Sequence, residues 1–392
     1  MNIVELKPDI YWVGAIDWDL RNFHGYLTQR GTTYNAYLIV DEKIVLVDTV
    51  KSHLFDEMVA RIKRIVDPAK IDYIVSNHVE MDHSGSIPMM KELCPNAKVI
   101  TSTRGEKGLN RHFKTDLDLQ VMESGSSLDI GKRTLQFVHV PMVHWPDSMV
   151  TYIPEEKLLL SNDAFGQHLA THERFDDEVG WHTIREEAAK YYANIVMPYG
   201  EQVKKAIGAL AGLDIDMIGP SHGLILRSYI GDMLEQYQRW VDHDTEPRAV
   251  IIYDSMWGST TSMAYKLYEG LLEGGVPVSM RSLKTNHISD IMTDVMMSRA
   301  VIIGTATINN NVLPTVGAML TYLKGLKPKK RIGFAFGSYG WNPRVLGDVE
   351  AMMDDLGWSR PVESVNINYV PDPEELREVK AMGLELARHI LE

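Results

Sequence analysis

His78-Val79-Glu80-Met81-Asp82-His83 places four potential metal ligands within six residues. The preceding Ile71-Asp72-Tyr73-Ile74-Val75 reads as a short buried strand, and Ser84-Gly85-Ser86-Ile87-Pro88 supplies turn residues ahead of a helix. The run therefore falls on a strand-to-helix loop. Alternate residues of an extended segment face the same way, so His78, Glu80 and Asp82 are expected to converge while His83 starts a second direction. Imidazole with carboxylate suits iron, manganese or zinc, and a set with several carboxylates leans toward iron. A solvated polar loop explains any one of these residues alone. The four together make a metal site an equal reading, with room for two ions.

The rest of the composition narrows the class. A chain of 392 residues, 45% hydrophobic and 24% charged, is long enough for two or three domains with sizeable cores. It contains no apolar run of bilayer length, and the segment from Met1 to Lys7 lacks a charged start followed by an apolar secretory core, so a cytoplasmic location is expected. Cys94 is the only cysteine, which excludes an intrachain disulfide, a Cys-ligated iron–sulfur cluster or rubredoxin module, and a Cys-rich zinc site. It reads as a small buried packing residue. The net charge of −13 argues against nucleic-acid binding, which relies on Lys and Arg to neutralise phosphates. Protein or small-molecule partners fit better, and the acidic excess lies almost wholly before Pro247.

Asp242-His243-Asp244-Thr245-Glu246-Pro247-Arg248 is the best linker, dividing the chain into residues 1–247 and 248–392. Before it, Ile230, Leu234, Tyr237 and Val241 recur at helical spacing. After it, Ala249-Val250-Ile251-Ile252-Tyr253, Ala300-Val301-Ile302-Ile303 and Arg331-Ile332-Gly333-Phe334-Ala335-Phe336 read as buried parallel strands, with helical stretches from Ser262 to Leu272 and from Val316 to Leu323. That pattern describes a doubly wound α/β domain. The first part mixes strands such as Tyr37-Leu38-Ile39-Val40, Ile44-Val45-Leu46-Val47 and Leu158-Leu159-Leu160 with helices, which describes α+β layers.

Three further metal-ligand types follow apolar stretches in the first part: His144, Asp163 and His222. With the opening run they resemble the metallo-β-lactamase fold, an αββα sandwich whose ligands sit on loops at one edge. Glu80 departs from that superfamily's hydrolases, which usually place a second histidine there. In this respect, and in the α/β domain that follows, nearly the whole chain is similar to the flavodiiron proteins, also called A-type flavoproteins. The resemblance implies that His78, Glu80 and His144 hold one iron, that Asp82, His83 and His222 hold the other, and that Asp163 bridges them. Arg21-Asn22-Phe23-His24-Gly25-Tyr26 resembles the family segment that approaches the irons, so His24 is expected to donate a hydrogen bond to substrate. Tyr191 and Tyr192 are weaker pocket candidates of the same kind. Asp48, at the end of a buried strand, reads as a residue that orients ligands.

In the second part, Ser255-Met256-Trp257-Gly258-Ser259-Thr260 follows a strand and precedes a helix, where an open parallel sheet binds phosphate. It lacks the Gly-Lys-Ser/Thr ending of an ATP-binding loop. Thr305-Ala306-Thr307-Ile308-Asn309-Asn310 and Ser338-Tyr339-Gly340-Trp341 follow later strands. A flavodoxin-like strand order brings the three loops together around FMN. Ser255, Ser259 and Thr260 then contact phosphate, and Trp257, Tyr339 and Trp341 pack on the flavin. Trp257 stands where simple flavodoxins have Thr, as it does in flavodiiron proteins, and Ala306 stands where related sequences often have Pro.

Two irons and an FMN together suit reduction of O2 to water or of NO to N2O, the reactions implied by the resemblance. The alternatives are a metal-dependent hydrolase of the metallo-β-lactamase superfamily, or an FMN electron carrier whose first domain serves only for docking. The resemblance also implies rubredoxin or a similar protein as electron donor, and a head-to-tail homodimer. Lys324, Lys327, Lys329, Lys330 and Arg331 offer a basic patch for an acidic carrier, against the simpler reading of a solvated loop. Anaerobically purified protein is expected to contain two irons and FMN and to consume O2, NO or both. Zinc together with ester or lactam hydrolysis would favour the hydrolase.

Overall fold

Period-two alternation builds the first sheet. Tyr37, Ile39, Val45, Val47, Val75 and Ile100 pack into one core with Phe137, Met149, Leu158 and Leu160 of a second sheet. Leu38, Leu46, Ile74 and Val99, one residue out of phase, pack on the opposite face against Met58, Ile62, Ile87 and Leu109. The computed structural model describes residues 3–392, so Met1 and Asn2 of the amino-terminal segment lie outside the described residues.

The first sheet runs Val4–Lys7, Ile10–Trp12, Tyr37–Ile39, Val45–Val47, Tyr73–Ser76, Lys98–Ser102 and Leu119–Met122. Its pairing is antiparallel up to Val45–Val47 and parallel beyond it. Helices Phe55–Ile62, Ile87–Leu93 and Thr103–Phe113 cover its outer face. The second sheet runs Ser127–Asp129, Thr134–His139, Met149–Ile153, Leu158–Asn162 and Met217–Pro220, and only its last pair is parallel. Helices Gly200–Leu210 and Ile230–Val241 lie outside it, near Leu159 and Ile218. The result is the αββα sandwich that the resemblance implies.

Strand ends set the position of the site. His78 follows Tyr73–Ser76, His144 lies in the connection between Thr134–His139 and Met149–Ile153, Asp163 follows Leu158–Asn162, and His222 follows Met217–Pro220. The chain departs from the sequence expectation at Met81–Ser84, which is helical rather than extended. A helical turn aims neighbouring side chains about 100° apart, so Asp82 does not share the direction of His78 and Glu80.

Two compact units divide the chain: residues 1–191 with 199–238, and residues 192–198 with 239–392. The strand Glu246–Tyr253 already contains Pro247, so only residues 242–245 separate it from the helix ending at Val241. Asn194 belongs to the second unit because its Nδ2 donates to Ser289 O at 3.0 Å and its Oδ1 accepts from Tyr322 OH at 2.7 Å. The parallel sheet of this unit runs Val278–Ser282, Glu246–Tyr253, Ser298–Ile308, Ile332–Tyr339 and Val365–Asn368. This is the flavodoxin-like order, whose switch point falls beside Glu246–Tyr253. Helices Ser259–Glu273 and Pro373–Leu391 share one face, with Met263, Leu267, Val379 and Leu386 in its core.

The basic loop is partly structural. Arg331 is buried, and its guanidinium donates to Val295 O at 3.1 Å and Met296 O at 2.7 Å. Lys330 Nζ donates to Asp242 O at 2.8 Å, and Lys324 lies 3.5 Å from Asp355. Arg331 therefore drops out of the surface patch.

A close approach secures the strand that carries the His222 loop. A Cβ on Gly219 would lie 2.8 Å from the Tyr37 ring and 2.9 Å from Leu160, while Tyr37 OH donates to Pro220 O at 2.7 Å. Gly219→Ala is expected to cost about 1–3 kcal/mol by overpacking. Denaturant unfolding measures the loss, and a wild-type midpoint would show that Tyr37 yields freely.

Candidate active site

The seven sequence-derived ligand candidates come together as two sets. His78, Glu80, His144 and Asp163 offer donor atoms within 4.8 Å of one another, as do Asp82, His83 and His222. Asp163 faces both. Its Oδ2 lies 3.6 Å from His78 Nε2 and 3.2 Å from His144 Nε2, while its Oδ1 lies 3.1 Å from His83 Nε2 and 3.5 Å from His222 Nε2. The helical turn at Met81–Ser84 is what places Asp82 with His83 and His222; its carboxylate lies 3.4 Å from each ring.

Hydrogen bonds aim the rings. A carboxylate only accepts, so His78 Nδ1 donates to Asp147 Oδ2 at 2.9 Å, and Val79 N donates to the same oxygen at 2.8 Å. A carbonyl also only accepts, so His222 Nδ1 donates to Thr33 O at 2.8 Å. Both rings therefore turn Nε2 toward the carboxylates. Asp48 accepts from Asn77 N at 2.8 Å and Asn77 Nδ2 at 3.1 Å, and Thr151 Oγ1 donates to Asn77 Oδ1 at 2.8 Å. This network fixes the backbone one residue before His78.

The donor set fits a pair of cations. His78 Nε2, His83 Nε2 and both carboxylate oxygens of Asp82 and Asp163 are buried without a hydrogen-bond partner. Such groups are costly unless an ion or proton satisfies them. Adjacent ligands about 2.1 Å from one ion stand roughly 3 Å apart, close to the separations seen. In the bare site, burial opposes charge on the His78, His83 and His144 rings, but hydrogen bonds and charges from the carboxylates prevail and raise them to about 10, 9 and 10. Burial also opposes charge on Asp163, yet the His83 and His144 rings hold it well below the usual carboxylate range. The cluster thus attracts positive charge, as protons or as metal.

The neighbouring residues sort differently. His24 Nε2 donates to Glu80 Oε1 at 2.9 Å, from a ring that is largely exposed. Tyr191 is buried with its ring centroid 6.1 Å from that of His222, whereas Tyr192 packs on Trp240 in the second unit. Two residues escaped the sequence reading. Asp147 stands three residues after His144 without a motif of its own, and His168 has no motif around it. His168 is buried with its ring centroid 4.8 Å from that of His222, and burial holds it well below the usual imidazole range.

The second unit holds a pocket of about 400 Å³ at the switch point. Ser255, Met256, Trp257, Ser259, Ala306, Thr307, Ser338, Tyr339, Gly340 and Trp341 line it, as the three loops suggested, and Tyr369 joins them. Gly258, at φ +96°, sits at the start of the helix Ser259–Glu273, and its N–H donates to Ser255 Oγ at 3.1 Å. Thr260 and Ser338 tie two loops together, their hydroxyls 3.1 Å apart. Thr305 is buried and accepts from Leu313 N at 3.2 Å. Ile308 ends its strand opposite Asn311, Asn309 and Asn310 form the turn between them, and none of the three lines the pocket. Trp257 and Trp341 are 94% and 87% exposed. A flat aromatic ring over them would remove that apolar surface from water.

Comparison with known proteins agrees with both halves. The ODP family beta lactamase pattern matches residues 32–223, and the Flavodoxin pattern matches residues 251–382. The nitric oxide reductase of Moorella thermoacetica is 44% identical, over 99% of this chain and 98% of its own length. The solved rubredoxin oxygen:oxidoreductase of Desulfovibrio gigas has a TM-score of 0.97 at 41% identity, covering 99% of this chain and 98% of its own. The solved flavodiiron protein of Giardia intestinalis has a TM-score of 0.96 at 32% identity, covering 100% and 97%.

Asp147 has a checkable role. Asp147→Asn weakens the acceptor that orients His78 and is expected to lower metal affinity about 10–100-fold, as read by competition with a chelator. Wild-type affinity would mean that Val79 N and the surrounding packing orient the ring without it.

Proposed function

The chain belongs to the flavodiiron protein family, and on that premise we propose that His78, Glu80 and His144 hold one iron, Asp82, His83 and His222 hold the second, and Asp163 spans the two. The protein is an oxidoreductase that reduces O2 to water, NO to N2O, or both, at a non-haem diiron site fed through FMN. The observation that carries the assignment is the division of Asp163, with one oxygen toward each histidine set. Bound iron supplies the redox chemistry, and FMN stores and passes electrons.

The chain's own residues do the rest. Asp147 and Thr33 fix the tautomers that leave His78 and His222 Nε2 free to bind. Glu80, Asp82 and Asp163 bring three negative charges that offset much of the charge of two divalent ions. His24, on its exposed turn, presents an N–H to Glu80 at the edge of the site, where we place substrate entry. Ser255, Ser259 and Thr260, with Gly258 at the helix start, are assigned to the FMN phosphate, and Trp257, Tyr339 and Trp341 to the flavin ring. Thr305, Ile308, Asn309 and Asn310 shape the second loop.

We assign a small rubredoxin-like protein as electron donor, and a second copy of this chain, head to tail, as partner. The exposed Trp257 and Trp341 support a partner surface around the pocket. Among the described residues no helix is long and apolar enough to cross a membrane; a cytoplasmic location is proposed from the family resemblance alone. Neither a hydrolase nor a plain electron carrier accounts for both halves of the chain.

Asp163→Asn is expected to lower iron occupancy and gas reduction sharply while FMN stays bound. Metal analysis alongside O2 and NO consumption tests this, and normal iron content with normal turnover would reject the bridging role.

A further inference from the structure

A small apolar cavity of about 20 Å³ is lined in part by residues that flank two of the candidate ligands in the chain. Val143, Ala164 and Phe165 form part of its wall. Val143 directly precedes His144, and Ala164 and Phe165 directly follow Asp163. Val150, Val203 and Ile207 close it from the second sheet and from the helix Gly200–Leu210.

The polar atoms at its wall are already engaged. Ser161 Oγ donates to Ala164 O at 2.8 Å, and Tyr237 OH accepts from Phe165 N at 2.9 Å. A water molecule needs about two to four polar partners, and an apolar cavity without them stays dry yet takes up apolar gases such as xenon. The volume of about 20 Å³ exceeds the roughly 10–15 Å³ that one water-sized molecule requires.

The cavity also shares walls with a larger opening. Phe165, Ile207 and Leu210 line it and equally line a larger groove of about 430 Å³, whose other walls include Leu213, Ile215 and Leu234. Phe165 is buried at the junction, its ring centroid 4.7 Å from that of Tyr237. The largely exposed His24 and its bond to Glu80 provide the polar approach to the site. The groove is a second approach of opposite chemistry.

We propose that this groove and cavity, joined at Phe165, gather the apolar diatomic substrate and hold it next to Asp163 and His144. The inference rests on the reading of the site as a gas-reducing diiron centre. O2 and NO are apolar, so they concentrate in a dry apolar space that water does not contest. The polar mouth is left to serve protons and water.

Xenon binding and gas kinetics on the iron- and FMN-loaded protein test the proposal together. Ile207 is partly exposed, so Ile207→Trp can fill the shared wall while the fold adapts, and Ile207→Ala widens it. Wild-type protein and Ile207→Ala are expected to bind xenon at this cavity under pressure. Ile207→Trp is expected to lose xenon and to raise KM for the gas about three- to tenfold, with iron and FMN content at wild-type levels. Ile207→Ala is expected to leave KM at or below the wild-type value. The proposal is overturned if wild-type protein binds no xenon there, or if Ile207→Trp excludes xenon yet keeps the wild-type KM. Wild-type protein that carries both cofactors and consumes neither gas would instead overturn the functional reading beneath it.

Discussion

Everything in the first unit is arranged around one buried carboxylate that faces two sets of imidazoles. Asp163 turns one oxygen to His78 and His144 and the other to His83 and His222. Burying that charge without a partner would cost several kcal/mol. Four histidines surround it, two from the segment after Tyr73–Ser76 and two from other strand ends, and His78 and His222 are aimed from behind. Asp147, Thr33 and the Asp48–Asn77–Thr151 network do that aiming. The sandwich matters to function because its alternating strands hold these supports rigidly at one edge.

The second unit applies a different constraint to an equally specific end. Its parallel strands deliver three loops to one switch point, where Gly258 takes up a left-handed conformation at the start of a helix. Trp257 and Trp341 remain in water there, a cost that a flat cofactor and a covering partner surface would remove. The first unit thus concentrates buried charge and the second leaves apolar surface open. Each arrangement calls for a group that the polypeptide itself does not supply.

Much of this was legible in the sequence because the relevant signals are local. The run from His78 to His83, the apolar strands before Asp163 and His222, and the Ser/Gly-rich loop after Tyr253 each announce a strand end bearing chemistry. The division of the ligands between two sets came from resemblance and not from periodicity: a two-residue repeat grouped Asp82 with His78 and Glu80, whereas the turn at Met81–Ser84 sends it to His222. Asp147 and His168 were missed because orienting and packing roles depend on long-range contacts. Tyr369 was missed for the same reason, since it reaches the flavin pocket from the loop after the edge strand Val365–Asn368. Arg331 looked like surface charge in a basic run, but its guanidinium satisfies backbone carbonyls inside the second unit.

The most direct test of the account is low-temperature EPR and Mössbauer spectroscopy of the iron-loaded protein after partial reduction. A carboxylate that spans both irons couples their spins, so the account predicts a diamagnetic diferric state and a coupled mixed-valence signal on partial reduction. Two independent high-spin ferric signals, or a single iron per chain, would contradict it.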